Sequence, residues 1–304
     1  MHSQLVVSQF LRATSHDDSP SANRLPAPAC RVASDPTLIT FDLDGYLARI
    51  GWNGPREPTF ATLAGVLRAH MTHIPFENLD VLLGRGIRID SGSVYAKLVA
   101  AHRGGYCFEH GILLQSALSS LGFQPDVHTA RVVLMRPRSE AALTHMFLTV
   151  RMDDQRYVLD PGFGGLAPLV PVPLAAARVC EGRDVHRLVN HGHEWVLETE
   201  VNGAWTPMWS STLEPAEPVD FVMGNHFVST FPISPFVTTL MLRAITPRGR
   251  VSVANRAMTR RHEGREEKRV IESRVELRAV LKEDFGIDLP EIERLHVPAV
   301  PEWN

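Results

Sequence analysis

The feature that most limits how this chain can fold is a change of hydrophobic period at Gly122. Ahead of it, apolar residues recur about every 3.6 positions, and beyond it they alternate every second residue, so a helical half precedes a sheet half. Residues 58–70 put Phe60, Leu63, Val66 and Leu67 on one helical stripe, and 93–101 supply another short helix. A third helix starts near Cys107. Phe108, Ile112, Leu114, Ala117, Leu118 and Leu121 cover one side, Gln115, Ser119 and Ser120 the other, and Gly122 caps its end. Downstream, 127–134, 145–152, 157–160 and 195–200 read as strands. Near residue 224 a further unit begins, with strands around 238–244 and 269–272 and then a helix. Ser273 and Glu276 form its capping box, Leu277, Val280, Leu281 and Phe285 its buried stripe, and Gly286 its stop. The expected division is an N-terminal extension (1–37), a helical unit (38–121), a β unit (122–223) and an α/β unit (224–304), an α+β chain with no internal repeat.

Charge and cysteine usage narrow the function classes. With 31 basic and 34 acidic residues among 304, the chain has no basic excess for nucleic acid. The longest nearly apolar stretch, 166–177, is broken by Pro168, Pro171 and Pro173. It falls short of the roughly 20 residues a membrane helix needs and reads as a loop or barrel edge, so no membrane partner is expected. Residues 1–15 lack a continuous apolar core with a cleavage site, and 13–37, rich in Ser, Asp and Pro, are expected to lie outside the packed fold. Three cysteines, Cys30, Cys107 and Cys180, are an odd number with no C-x-x-C spacing. That argues against a disulfide framework and a zinc site, and for a reducing, cytoplasmic location with no metal.

Cys107 stands apart from the other two cysteines, which read as small hydrophobes. It follows Arg103-Gly104-Gly105-Tyr106 and opens a helix. Two glycines permit a tight backbone approach, and unpaired N–H groups at a helix start stabilise a thiolate and can hold an oxyanion. Its partners come from a hairpin. Strand 145–152 meets its successor across Asp153-Asp154, a two-residue turn, which sets Met152 opposite Gln155, Val150 opposite Tyr157 and Phe147 opposite Asp160. His145 shares a face with Phe147 and is a diagonal neighbour of Asp160. An imidazole can take the thiol proton, and a carboxylate on its other nitrogen fixes the tautomer. His110, three residues past Cys107, is a rival base without a carboxylate placed behind it. Arg103 and Glu109, flanking the nucleophile, read as an ion pair that holds the turn.

These motifs resemble the arylamine N-acetyltransferase family over roughly residues 46–289. Tyr46-Leu47-Ala48-Arg49-Ile50-Gly51, Ile74-Pro75-Phe76-Glu77-Asn78-Leu79-Asp80, Arg103 to Glu109, Thr144-His145-Met146 and Asp160-Pro161-Gly162-Phe163-Gly164 follow one another in the family's order. The resemblance implies a helical bundle bearing the cysteine, a central β-barrel bearing the histidine and aspartate, and a C-terminal α/β lid, with a cysteine-protease-like core. It also implies a cytoplasmic enzyme of xenobiotic metabolism in which acetyl-coenzyme A acylates Cys107 and an arylamine or arylhydrazine then attacks the thioester. His145 and Asp160 complete the triad. Phe163 and Phe108 are expected to line the acceptor pocket, and Phe227 and Ser229 to contact coenzyme A, with no metal involved. Arg136 and Arg138 are candidate phosphate contacts that read more simply as a solvated loop.

Two departures stand out. Four residues after its cysteine the family usually has Asn and then Gly, where this chain has Gly111 and Ile112. Gly inside a helix costs on the order of 1 kcal/mol relative to Ala, and the missing amide removes a polar group expected near the site. The other departure is the stretch ahead of the family's usual start. The triad alone leaves room for a thiol hydrolase or amide synthase working on another acyl donor.

Overall fold

The computed structural model describes residues 41–175, 177–181, 184–246, 249–263 and 265–303. The expected extension 1–37, Cys30 included, lies outside the described residues. Helix α1 (Leu43–Arg49) starts where Asp42 accepts from the Gly45 amide at 3.0 Å, and α2 (Phe60–His73) where Thr59 accepts from Thr62 at 3.3 Å. Side-chain oxygens there satisfy amides that have no partner inside the helix. A two-residue strand β1 (Phe76–Glu77), a short helix α3 (Leu79–Leu82) and α4 (Ser91–Tyr95) follow, the last running into a π turn, Ala96–Ala100. Helix α5 spans Cys107–Ser120, with Gly122 beyond it at φ 86°. Leu63, Val66 and Leu67 of α2 pack with Leu113, Leu114, Ala117 and Leu118 of α5 and with Leu148, Val150 and Leu159 from the sheet. Phe60 departs from the expected stripe: it is 46% exposed and its ring lies 4.9 Å from Tyr157. As the first residue of α2 it lies at the edge of the contact rather than under it.

Eight strands make one antiparallel sheet: β2 (Pro125–Val132), β3 (Leu143–Met152), β4 (Gln155–Leu159), β5 (Val172–Pro173), β6 (Arg178–Glu181), β7 (Asp184–Asn190), β8 (Trp195–Val201) and β9 (Ala204–Ser211). The spatial order is β5-β4-β3-β2-β9-β8-β7-β6, and β5 curls back against β7, so the sheet nearly closes. In β3, His145 through Val150 are all buried, so both faces are covered. Alternation sends Phe147 into the barrel-like interior with Val158, Leu197 and Trp209, and Leu148 and Val150 towards the helices. The expected edge at 166–177 contains β5, the end strand of the sheet, which among the described residues pairs with β4.

Helix α6 (Pro218–Thr230) runs through residue 224, where the sequence suggested a boundary, and α7 (Pro235–Thr238) occupies the start of the strand expected at 238. Strands β10 (Met241–Thr246), β11 (Gly249–Ala254), β12 (Ala257–His262) and β13 (Arg265–Val270) form a second antiparallel sheet, which β1 joins from the helical half in the order β1-β10-β11-β12-β13. Helix α8 (Arg274–Phe285) covers it with Leu277, Val280, Leu281 and Phe285. Ser273 accepts from Glu276 N at 3.2 Å, while the Glu276 carboxylate takes the amide of Glu272 rather than that of Ser273. Gly286 stops the helix at φ 66°, a conformation open to glycine at little cost.

Burial separates two residues of one helix. Leu67→Ala, at a fully buried position, is expected to cost about 2–5 kcal/mol in urea unfolding, and Phe60→Ala much less. Equal losses would contradict the packing of α2.

Candidate active site

Cys107 is the first residue of α5 and is 3% exposed. The turn ahead of it is built from close approaches. A Cβ on Gly104 would lie 2.2 Å from the Pro75 carbonyl oxygen, and one on Gly105 would lie 2.7 Å from the Glu109 carboxylate. Glu109 accepts from the Tyr106 amide at 3.0 Å, satisfying a donor at the helix start. The Cys107 thiol donates to the Thr144 carbonyl at 3.6 Å and is in hydrogen-bonding reach of the His145 imidazole.

The hairpin has the expected register, with Met152 opposite Gln155, Val150 opposite Tyr157 and Leu148 opposite Leu159. Asp153 takes φ 50° in the turn. Asp160, next after β4, is fully buried and accepts from His145 Nε2 with both oxygens at 3.1 Å, from Trp209 Nε1 at 2.8 Å and from Gly162 N at 3.3 Å. Its engagement of Nε2 leaves Nδ1 as the ring nitrogen for the thiol. Burial works against charge on His145, but the Asp160 carboxylate and then Cys107 outweigh it and raise its pKa to about 10. Trp209 is the member that sequence reading missed. Its only local signal is an indole in a strand, and it reaches Asp160 from 49 residues away.

The charges around the turn differ from the expected Arg103–Glu109 pair. Arg103 binds Glu77 at 2.6 Å and Asp80 at 3.2 Å, while Lys97 binds Glu109 at 2.8 Å and Asp80 at 3.1 Å. Glu77 and Glu109 are each 1% exposed, so leaving either without its cation would strand a buried charge. Burial raises the Glu109 pKa to about 7 against the pull of Lys97. His110, the rival base, points away from the thiol, to His70 at 2.9 Å and the Pro75 carbonyl at 3.2 Å. Gly111 has a packing counterpart: a Cβ there would meet Met146 Sδ at 2.7 Å, so the Met146 side chain of β3 lies directly on the helix backbone and would have to shift for a larger residue, and Ile112 is half-buried.

Phe163 sets its ring perpendicular to His145 at 5.4 Å. Phe108 is 1% exposed, between Tyr106 at 5.8 Å and Phe221 at 6.2 Å. A cleft of about 530 Å³ runs beside Thr144, lined by the apolar Leu143, Met223 and Phe227 and by the polar Thr129, Ser211 and the Arg138–Glu194 pair. Phe227 stacks on Phe231 at 4.7 Å. Ser229 is not in the cleft wall, and its hydroxyl donates to Asn225 O at 2.7 Å. Arg136 and Arg138 are both exposed, as a solvated loop would leave them, and Arg138 is also tied to Glu194 by two 2.8 Å hydrogen bonds. Tyr106 donates its hydroxyl to Asn225, linking the cysteine turn to α6. Among the described residues no group of three His, Cys, Asp or Glu side chains is arranged to hold a metal, and no helix is long and apolar enough to cross a membrane.

The sequence profile of a family described as N-acetyltransferase matches residues 59–294. The arylamine N-acetyltransferase of Mycolicibacterium smegmatis is 38% identical over 267 residues, covering 86% of this chain and 97% of that protein. The arylamine N-acetyltransferase of Escherichia coli (strain K12) is 35% identical, covering 82% and 90% respectively. The structure of Mycobacterium marinum arylamine N-acetyltransferase in complex with CoA superposes with a TM-score of 0.79 at 33% identity, covering 83% of this chain and 94% of that one.

The raised pKa of His145 favours the protonated ring in the folded state. Its stabilisation is therefore complete below the ordinary value near 6.5 and is lost as pH rises through about 10. The melting temperature of the wild type should exceed that of Asp160→Asn most at pH 6, with the gap narrowing towards pH 10; a constant gap would contradict the pairing. A Cβ on Gly162 would lie 2.5 Å from Cys107 Cα. Gly162→Ala is thus expected to slow iodoacetamide labelling of Cys107 about tenfold or more, since small misplacements at a reacting centre are costly.

Proposed function

The chain belongs to the arylamine N-acetyltransferase family of acyltransferases, and on that premise we propose that it moves an acetyl group from acetyl-coenzyme A to an arylamine or arylhydrazine nitrogen through a thioester on Cys107. One observation carries this reading. Both oxygens of a fully buried Asp160 engage His145 Nε2, so the ring keeps one orientation and offers Nδ1 to the thiol.

In the first half-reaction the Cys107 thiolate attacks the thioester carbonyl of acetyl-coenzyme A. The bond to the coenzyme A sulfur breaks, and that sulfur leaves as a thiol with the proton from the His145 imidazolium. In the second, the amine nitrogen attacks the Cys107 thioester, Cys107 leaves as thiolate, and His145 takes the proton the nitrogen sheds. Anilines suit this step because they are weak bases, largely uncharged near neutral pH, and need little help to attack. In this reading the amides at the start of α5 bear the oxyanion in both steps. Asp160 orients the ring and stabilises the imidazolium in both steps.

In this reading Phe163 forms the wall beside His145 against which the acceptor ring packs, and Phe108, the residue after Cys107, lines the same pocket. Both substrates approach along the cleft between Thr144 and α6, where Phe227 is the candidate coenzyme A contact, whereas the Ser229 hydroxyl is spent on Asn225 O within the helix. The nearly closed sheet is then the barrel, and the β10–β13 sheet with α8 the lid, of a cysteine-protease-like core.

The test is release of coenzyme A thiol from acetyl-coenzyme A, with and without an aniline or hydrazine. Turnover should require the acceptor, and Cys107→Ala should reduce it by roughly 10³-fold or more. Thiol release independent of acceptor would mark a hydrolase instead, and activity surviving in Cys107→Ala would remove the thioester.

A further inference from the structure

Three buried side chains with no part in that chemistry form a directed chain of hydrogen bonds. Tyr46 and His70 are fully buried and His110 is 1% exposed. The Tyr46 hydroxyl lies 3.0 Å from His70 Nδ1, His70 Nε2 lies 2.9 Å from His110 Nδ1, and His110 Nε2 lies 3.2 Å from the Pro75 carbonyl oxygen. A carbonyl only accepts, so His110 carries its proton on Nε2. A neutral His110 then accepts at Nδ1 from His70 Nε2, and His70 accepts at Nδ1 from Tyr46. Every hydrogen bond points the same way, and the order requires both rings to be neutral. Burial secures that. It holds His70 well below the usual imidazole range and His110 at about 4, with the Arg49 guanidinium near both and the Lys97 ammonium near His110 acting in the same direction.

The far end of the chain bears on the nucleophile. The Pro75 carbonyl also accepts from Gly105 N at 3.3 Å and is pressed against Gly104, where a Cβ would be 2.2 Å away. His110 itself sits in the first turn of α5, its amide donating to Tyr106 O at 3.0 Å. One carbonyl therefore joins the glycine turn ahead of Cys107 to the helix turn after it.

We infer that His110, backed by His70 and Tyr46, is a positioning residue for Cys107: it clamps the first turn of α5 to Pro75 and so fixes where the thiol stands relative to His145, which is carried by the other half of the molecule. The inference rests on the reading of Cys107 as the nucleophile. Displacement of a reacting group by about 1 Å can cost on the order of 10²-fold in rate.

The experiment follows the pre-steady-state burst of coenzyme A thiol from acetyl-coenzyme A, together with the acceptor KM and the circular dichroism spectrum. His110→Phe, which keeps the ring volume, should slow acylation about 10- to 100-fold with the acceptor KM unchanged. His110→Gln, whose amide can donate to Pro75 and accept from His70, should return the rate to within about threefold of the wild type. Acylation by His110→Phe within twofold of the wild type overturns the inference, and so does a loss that His110→Gln does not reverse, because packing alone would then explain it. If His110→Phe does not fold, Tyr46→Phe carries the test, since it removes one oxygen from the chain. It should slow acylation about three- to tenfold, and an unchanged rate overturns the inference. Full activity in Cys107→Ala would instead sink the nucleophile itself, a result distinct from all of these.

Discussion

A carboxylate with no exposure to water has to be supplied with donors from the protein, and the site is organised around Asp160 for that reason. His145 comes from β3, Trp209 from β9 and the Gly162 amide from the loop that follows, so the hairpin, the far side of the curled sheet and the Gly-rich loop all meet at one group. The same requirement sets the histidine chemistry. A carboxylate held on Nε2 keeps charge on a ring that burial would otherwise make neutral.

The cysteine is held by a separate system. Around its turn, Glu77, Asp80 and Glu109 are matched by Lys97 and Arg103, and the neutral Tyr46–His70–His110 chain runs to the same Pro75 carbonyl that the glycines approach. One half of the chain therefore fixes the thiol and the other fixes its base. They meet across the contact of α5 with β3, where Gly111 allows Met146 to pack directly against the helix. A glycine that looks unfavourable inside a helix is compensated by this approach.

Much of the architecture was legible because it is local. The hairpin register follows from a strand period of two and a two-residue turn, and the stop of α8 follows from a glycine free to adopt a positive φ. Legibility failed where partners come from afar. Phe60 fits the helical stripe, but the stripe records which residues are apolar and not how far the neighbouring surface extends. Arg103 and Glu109 sit near each other in sequence and invite pairing, yet each has a better-placed partner, and a buried charge takes the partner with the best geometry.

By itself the sequence determined the period change at Gly122, the helix-start position of Cys107 and the shared strand face of His145 and Phe147, because each depends on neighbours a few residues away. Only the tertiary structure decided which imidazole nitrogen meets Asp160, that Trp209 supports that carboxylate from 49 residues away, and that His110 faces Pro75 and not the thiol. The physical reason is one of direction. Periodicity states which side of an element a residue occupies, whereas a hydrogen bond requires two groups brought within about 3 Å by packing of the whole chain.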